Sequence, residues 1–217
     1  MMDTEIEAVV FDFGGVLTRA PLDGNIETLR ALCGLDRPTF DREYRLQRFD
    51  YDRGTVDSLQ YWTRIMSFGG AAPTQQSIRS LIEEDTAGWT RPNEAVLAWA
   101  WQLQEVGVRT AILSNMPRDI LVRIQDRFDW IKRFEVRIFS CNLGTIKPEA
   151  EIYQACMEAL ELKGSKILFL DDSSENVKAA RRSGMRAILF RELVEALRQI
   201  AQKGWLPALQ AAKQEQR

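Results

Sequence analysis

Five short apolar runs punctuate the chain, at 8–13, 108–113, 136–139, 166–170 and 186–190. Most are continuous rather than alternating, as in strands of a sheet covered on both faces. Helical stripes separate the later runs. Pro92 opens one, with Val96, Trp99, Leu103 and Val106 on one face and Gly107 as its stop. Pro148 opens another, carrying Ile152, Cys156 and Ala159, and a third spans 173–183 before Gly184. A fourth, at 192–202, carries Leu193, Leu197 and Ile200. The alternation predicts an α/β fold, a doubly wound parallel sheet. Between the first strand and Pro92 the pattern changes. Residues 18–89 show only helical stripes, such as Ile26/Leu29/Cys33, Val56/Leu59/Met66 and Ile78/Leu81/Ile82. The expected division is an α/β core at 1–17 and 90–209, a helical insert at 18–89, and a frayed polar tail at 210–217.

Composition narrows the chemistry more than the fold. With 217 residues, 45% hydrophobic and 28% charged, the chain can bury a sizeable core. A net charge of -2 with interleaved signs gives no electrostatic footprint for nucleic acid. No apolar run reaches the roughly 20 residues of a membrane helix, and the acidic N-terminus does not read as a signal peptide. Cys33, Cys141 and Cys156 are widely spaced, which suits reduced thiols in a cytoplasmic protein. There is no histidine. That excludes imidazole acid–base catalysis, histidine-based triads and histidine zinc sites.

In open α/β sheets ligands sit beyond the carboxyl ends of the strands. The first strand delivers Asp12, Gly14 and Gly15 there, and the second Ser114 and Asn115. The loop after the third brings Lys147, and the fourth ends in Asp171 and Asp172. These groups fit phosphoryl transfer. A carboxylate can attack phosphorus. Paired carboxylates suit Mg²⁺. Lysine, hydroxyl and amide donors can bind the equatorial oxygens. Asp171 and Asp172 could also cap the following helix, and Ser114-Asn115 could simply form a turn.

The segments FDFGGVL, ILSN, GTIKP and FLDDSSENVKAARRSGM, in that order, resemble the four motifs of the haloacid dehalogenase-like hydrolase superfamily. The insert is similar to that family's small α-helical cap, and the wording is nearest its phosphatase-like subgroup. The resemblance implies that Asp12 is the nucleophile and a Mg²⁺ ligand, with the Gly14 carbonyl as a further ligand. Ser114 and Asn115 would bind the phosphoryl group, together with Gly15. Lys147 would neutralise charge. Asp172 would hold the metal directly, and Asp171 directly or through water. Gly14 and Gly15 would lie in the turn that lets the cap move. The implied substrate is a small phosphorylated metabolite. Phosphatases of the family usually carry a second Asp two residues after the nucleophile, as general acid and base. Here that position is Gly14. Asp50, Asp52 or Asp57 of the insert could replace it, although the segment 48–54 reads more readily as a charged surface turn. Restoring an Asp at position 14 is expected to raise turnover. The six tryptophans read as packing. Two other functions fit the same scaffold: a catalytically weak phosphate-binding or regulatory protein, and a metal-independent haloacid dehalogenase.

Overall fold

The computed structural model describes residues 5–70 and 72–205. The expected tail at 210–217 lies outside them. The core is a five-stranded parallel sheet in the order β3-β2-β1-β4-β5. Its strands are β1 (Ala8–Phe11), β2 (Arg109–Ser114), β3 (Val136–Phe139), β4 (Ile167–Asp171) and β5 (Arg186–Leu189). The chain begins at the sheet centre, builds outward through β2 and β3, and returns to the other side of β1 for β4 and β5. Strand order therefore reverses beside β1, the place where open α/β sheets bind ligands.

Successive strand residues point to opposite faces, and here both faces are buried. Val9, Phe11, Ile112, Leu168 and Leu170 pack in one cluster, with Val96, Trp99 and Leu103 of α5 (Glu94–Glu105). Ile120, Leu121 and Ile124 of α6 (Arg118–Arg127) and Ile200 of α10 (Leu193–Lys203) join them. Ala8, Val10, Ala111, Leu113, Ile167 and Phe169 face the other way. They pack on Ile152 and Cys156 of α8 (Ala150–Leu160) and on Val177 and Ala180 of α9 (Ser174–Arg182). Burial on both faces explains why the strands read as continuous apolar runs. The sequence pattern did not mark α6 as a helix. Five of its ten residues are charged, so its buried stripe is only three residues wide.

Four helices precede α5: α1 (Asp23–Cys33), α2 (Arg37–Arg53), α3 (Ser58–Ser67) and α4 (Gln75–Gly88). They share an apolar cluster of their own, built on Leu29, Phe40, Tyr51, Tyr61, Trp62, Ile65, Leu81 and Ile82. Asp36, Asp57 and Thr74 cap α2, α3 and α4 by accepting backbone N–H bonds three residues on, which satisfies donors the helices leave open. The expected stripe through Leu59 is displaced. Leu59 is exposed, and Tyr61, Trp62 and Ile65 form the buried face of α3. A short helix, α7 (Ser140–Leu143), follows β3 and meets the C-terminal end of α2. Among the described residues no helix is long and apolar enough to cross a membrane.

Candidate active site

Parallel pairing sets the level of the site. Phe11 is in register with Ile112 and Leu170, so the next residue, Asp12, stands level with Leu113 and Asp171. Its backbone N–H donates to the Leu170 carbonyl at 2.9 Å. Lys147, only 2% exposed, bridges two carboxylates beneath the crevice. Its Nζ lies 2.8 Å from Asp12 Oδ1 and 2.7 Å from Asp171 Oδ2. The Lys147 backbone is held in turn by Asn115. That side chain accepts from Lys147 N–H at 2.8 Å and donates to the Lys147 carbonyl at 2.9 Å.

Asp171 is fully buried and heavily bonded. Besides Lys147 it accepts from Ser173 N–H at 2.8 Å and from Asn176 Nδ2 at 3.1 Å. Asp172 lies above it, at the mouth of the crevice. Asp12, Asp171 and Asp172 each offer an oxygen within 4.8 Å of the others. Burial pushes the Asp12 carboxyl well up; Lys147 opposes this, and Asp171 and Asp172 add to it. Desolvation and then Asp171 also raise Asp172. Burial alone would lower Lys147, but Asp12 and Asp171 outweigh it and keep the ammonium charged. Three carboxylates against one ammonium leave the cluster two positive charges short. This oxygen-rich donor set fits a hard divalent cation, with Asp172 the carboxylate least committed to protein donors.

A pocket of about 230 Å³ opens over Asp12. The core contributes Asp12, Gly14, Ser114, Asn115, Lys147 and Asp172 to its wall. Gly15 is placed differently. It has a φ of 76°, and an added Cβ would lie 2.3 Å from Asp172 Oδ2. It borders a second hollow behind Asp172 and does not line the main pocket. Ser114 is buried, and its hydroxyl makes only a long 3.3 Å bond to the Asn115 carbonyl.

The helices of 23–88 contribute Tyr44, Arg48 and Asp52 to the wall, with Trp89 just beyond α4. The segment 48–54 is therefore not a surface turn; through Arg53 it is the last part of α2. Arg48 Nε donates to Asp52 Oδ1 at 2.7 Å, and its Nη1 donates to Asp85 Oδ2 at 2.9 Å and to Tyr44 Oη at 3.0 Å. Tyr44 Oη donates to Asp85 Oδ1 at 2.7 Å. Positions 44, 48 and 52 are spaced by four, so they share one helix face. Charged residues surround α2 on every side, so the sequence does not single this face out. Trp89 covers the one unusual glycine. An added Cβ at Gly14 would lie 2.8 Å from its ring. One of the six tryptophans thus belongs to the pocket wall as well as to packing.

The chain matches the model of the haloacid dehalogenase-like hydrolases over residues 6–184; it is a member of that family. It is 27% identical to rat (Rattus norvegicus) bifunctional epoxide hydrolase 2 over 90% of this chain and 38% of that protein. The chain thus spans under two fifths of that relative's length. It is 29% identical to a Mycobacterium tuberculosis protein named as a phosphatase, covering 85% of this chain and 87% of the relative. In fold it resembles a HAD family enzyme of Bacteroides thetaiotaomicron solved with magnesium and inorganic phosphate. There the TM-score is 0.72 at 19% identity, over 86% of this chain and 94% of that one.

Proposed function

We propose that this hydrolase is a Mg²⁺-dependent phosphatase of small phosphorylated metabolites that works through an aspartyl-phosphate on Asp12. One observation carries the reading: Lys147 Nζ joins Asp12 to Asp171, with Asp172 completing a carboxylate cluster two charges short of neutrality. In this reading 1–17 and 90–209 form the hydrolase core, and 18–89 form a cap that closes the pocket. Asp12, Asp172 and the Gly14 carbonyl hold the metal, with Asp171 ligating directly or through water. Bound there, the metal supplies charge to neutralise the phosphoryl oxygens. Lys147 opposes protonation of Asp12 and orients it for in-line attack. Ser114 donates to an equatorial oxygen, where charge collects in the transition state. Asn115 acts beside it and fixes the Lys147 peptide. Gly15, lacking a Cβ, lets Asp172 approach the first turn. The pocket, at about 230 Å³, is smaller than the roughly 300–1,000 Å³ of drug-sized ligand sites, which suits a small ester. Three free, buried cysteines favour a cytoplasmic setting.

The test is a panel of phosphate esters with and without Mg²⁺. Turnover that needs Mg²⁺ and disappears in Asp12→Asn is expected. Turnover that survives either change sinks the reading. The ring of Trp89 over Gly14 favours a second reading, ester binding without efficient release. Rapid-quench mass spectrometry separates the two. A phosphorylated Asp12 that persists for many minutes selects the second, and one that decays within the turnover time selects the first.

A further inference from the structure

The family's usual proton donor has no side chain at position 14, and Trp89 fills the space where one would project. The cap offers three carboxylates nearby in sequence, and the structure separates them. Asp50 pairs with Arg64 at 3.3 Å on the exposed side of α2, and Asp57 caps α3. Only Asp52 lines the pocket that contains Asp12, Lys147 and Asp172. Its Oδ1 is held by Arg48 at 2.7 Å, and among the described residues no donor bonds to its Oδ2.

Asp52 is also tied to the core through its backbone. Its carbonyl accepts from Ser140 Oγ at 2.5 Å, and the same oxygen accepts from Met116 N–H at 2.9 Å. One hydroxyl thereby registers α2 against the loop that carries Ser114 and Asn115. Arg53 beside it pairs with Glu149 at 2.8 Å. Gly54 packs so closely on α7 that an added Cβ would lie 3.1 Å from the Cys141 carbonyl oxygen.

We propose that Asp52 is the general acid and base of this site, reaching from the cap to the leaving-group oxygen. The inference rests on the phosphatase reading above. As an Asp12 oxygen bonds to phosphorus, the phosphorus–ester oxygen bond breaks and its electron pair stays on the ester oxygen. That oxygen takes the proton of Asp52 and leaves as an alcohol. Asp52, now a carboxylate, takes a proton from water as the water oxygen attacks the aspartyl-phosphate. The phosphorus–Asp12 bond breaks, giving inorganic phosphate, free Asp12 and protonated Asp52. The electrostatics accord with this cycle. Burial raises the Asp52 carboxyl; Arg48 opposes it, Asp85 adds to the rise, and Lys147 lowers it. Arg48 is shared between Asp52 and Asp85, so neither carboxylate has the whole guanidinium. The other titratable groups around Asp52 are Tyr44 and Tyr51 of α2, Tyr61 of α3 and Cys141 of α7. All four are raised, with burial as the largest cause, so they stay neutral near pH 7.

The experiment is kcat/KM against leaving-group acidity, which reports the first half-reaction, in wild type and Asp52→Asn. Wild type should show a shallow dependence, because the leaving oxygen is protonated as it departs. In Asp52→Asn, alkyl phosphates should fall by ~10²–10⁴-fold while 4-nitrophenyl phosphate falls far less. A burst of nitrophenol should appear as release of phosphate from Asp12 slows. Equal losses across the series, or none, overturn the proposal while leaving the phosphatase reading intact. Absence of Mg²⁺-dependent turnover in wild type overturns that reading itself. The wild-type slope decides even if the variant does not fold, since a steep slope in wild type excludes proton donation.

Discussion

At the scale of single residues, two adjacent glycines do different work. Gly15 needs to be glycine on two counts, a φ of 76° and the Asp172 carboxylate in its side-chain direction. Gly14 carries no such backbone demand. Its limit is the Trp89 ring, 2.8 Å from where a Cβ would stand. This revises what the sequence suggested for Gly14→Asp. A restored carboxylate would have to displace an indole wedged in the pocket wall before it could meet a leaving group. The expected outcome is that Gly14→Asp alone does not raise kcat on alkyl phosphates. Gly14→Asp with Trp89→Ala should recover part of any loss. Steady-state rates on one alkyl phosphate check both. A rise in the single variant would show that the ring yields freely and that its placement is not a constraint.

At the scale of elements, the end of α2 decides how the four N-terminal helices meet the sheet and its loops. Arg53 and Glu149 make paired bonds across the junction, and Thr145 Oγ1 donates to the same carboxylate at 2.8 Å. The Arg53 bond, ahead of smaller contributions, holds Glu149 down to about 2. A carboxyl depressed in the folded state adds stability above its unfolded value, near 4.5, and loses it as pH falls through its folded value. The latch should therefore be complete at pH 5–7 and fade between pH 4.5 and 2. Both side chains are partly exposed, so solvent screening keeps its worth to about 1 kcal/mol or less. Urea unfolding of wild type and Glu149→Gln should differ by that amount at pH 7 and converge as pH falls. A gap that widens in acid would contradict the sign. This junction was hard to read from sequence because its partners lie about a hundred residues apart. The strands were easy for the opposite reason: burial on both faces writes itself into consecutive residues. Helix α6 escaped notice because charged positions outnumber its buried ones.

Across the whole molecule, the site joins a part that is local in sequence to a part that is not. Asp12, Ser114, Lys147, Asp171 and Asp172 lie at strand ends or in the segments that follow them, so an apolar run that gives way to polar residues marked them. Tyr44, Arg48, Asp52 and Trp89 reach the same pocket only because four helices pack on one another and dock on α7. Nothing in the order of residues along the insert fixes which face turns inward. The two parts should respond differently to metal. A cation bound only by the folded carboxylate cluster stabilises by mass action, about 2.7 kcal/mol at a hundredfold excess over Kd. For a chain of this size each kcal/mol moves Tm by roughly 2–4 °C. Saturating Mg²⁺ should therefore raise Tm measurably, and Asp172→Asn should abolish the rise by removing the least committed carboxylate. Asp52→Asn should leave the rise in place, because Asp52 lies on α2, outside the cluster. Melting curves with Mg²⁺, and with Na⁺ at matched ionic strength, separate specific binding from screening of the crowded acids. A rise that Na⁺ reproduces, or that survives Asp172→Asn, would mean that these three carboxylates do not form the metal site.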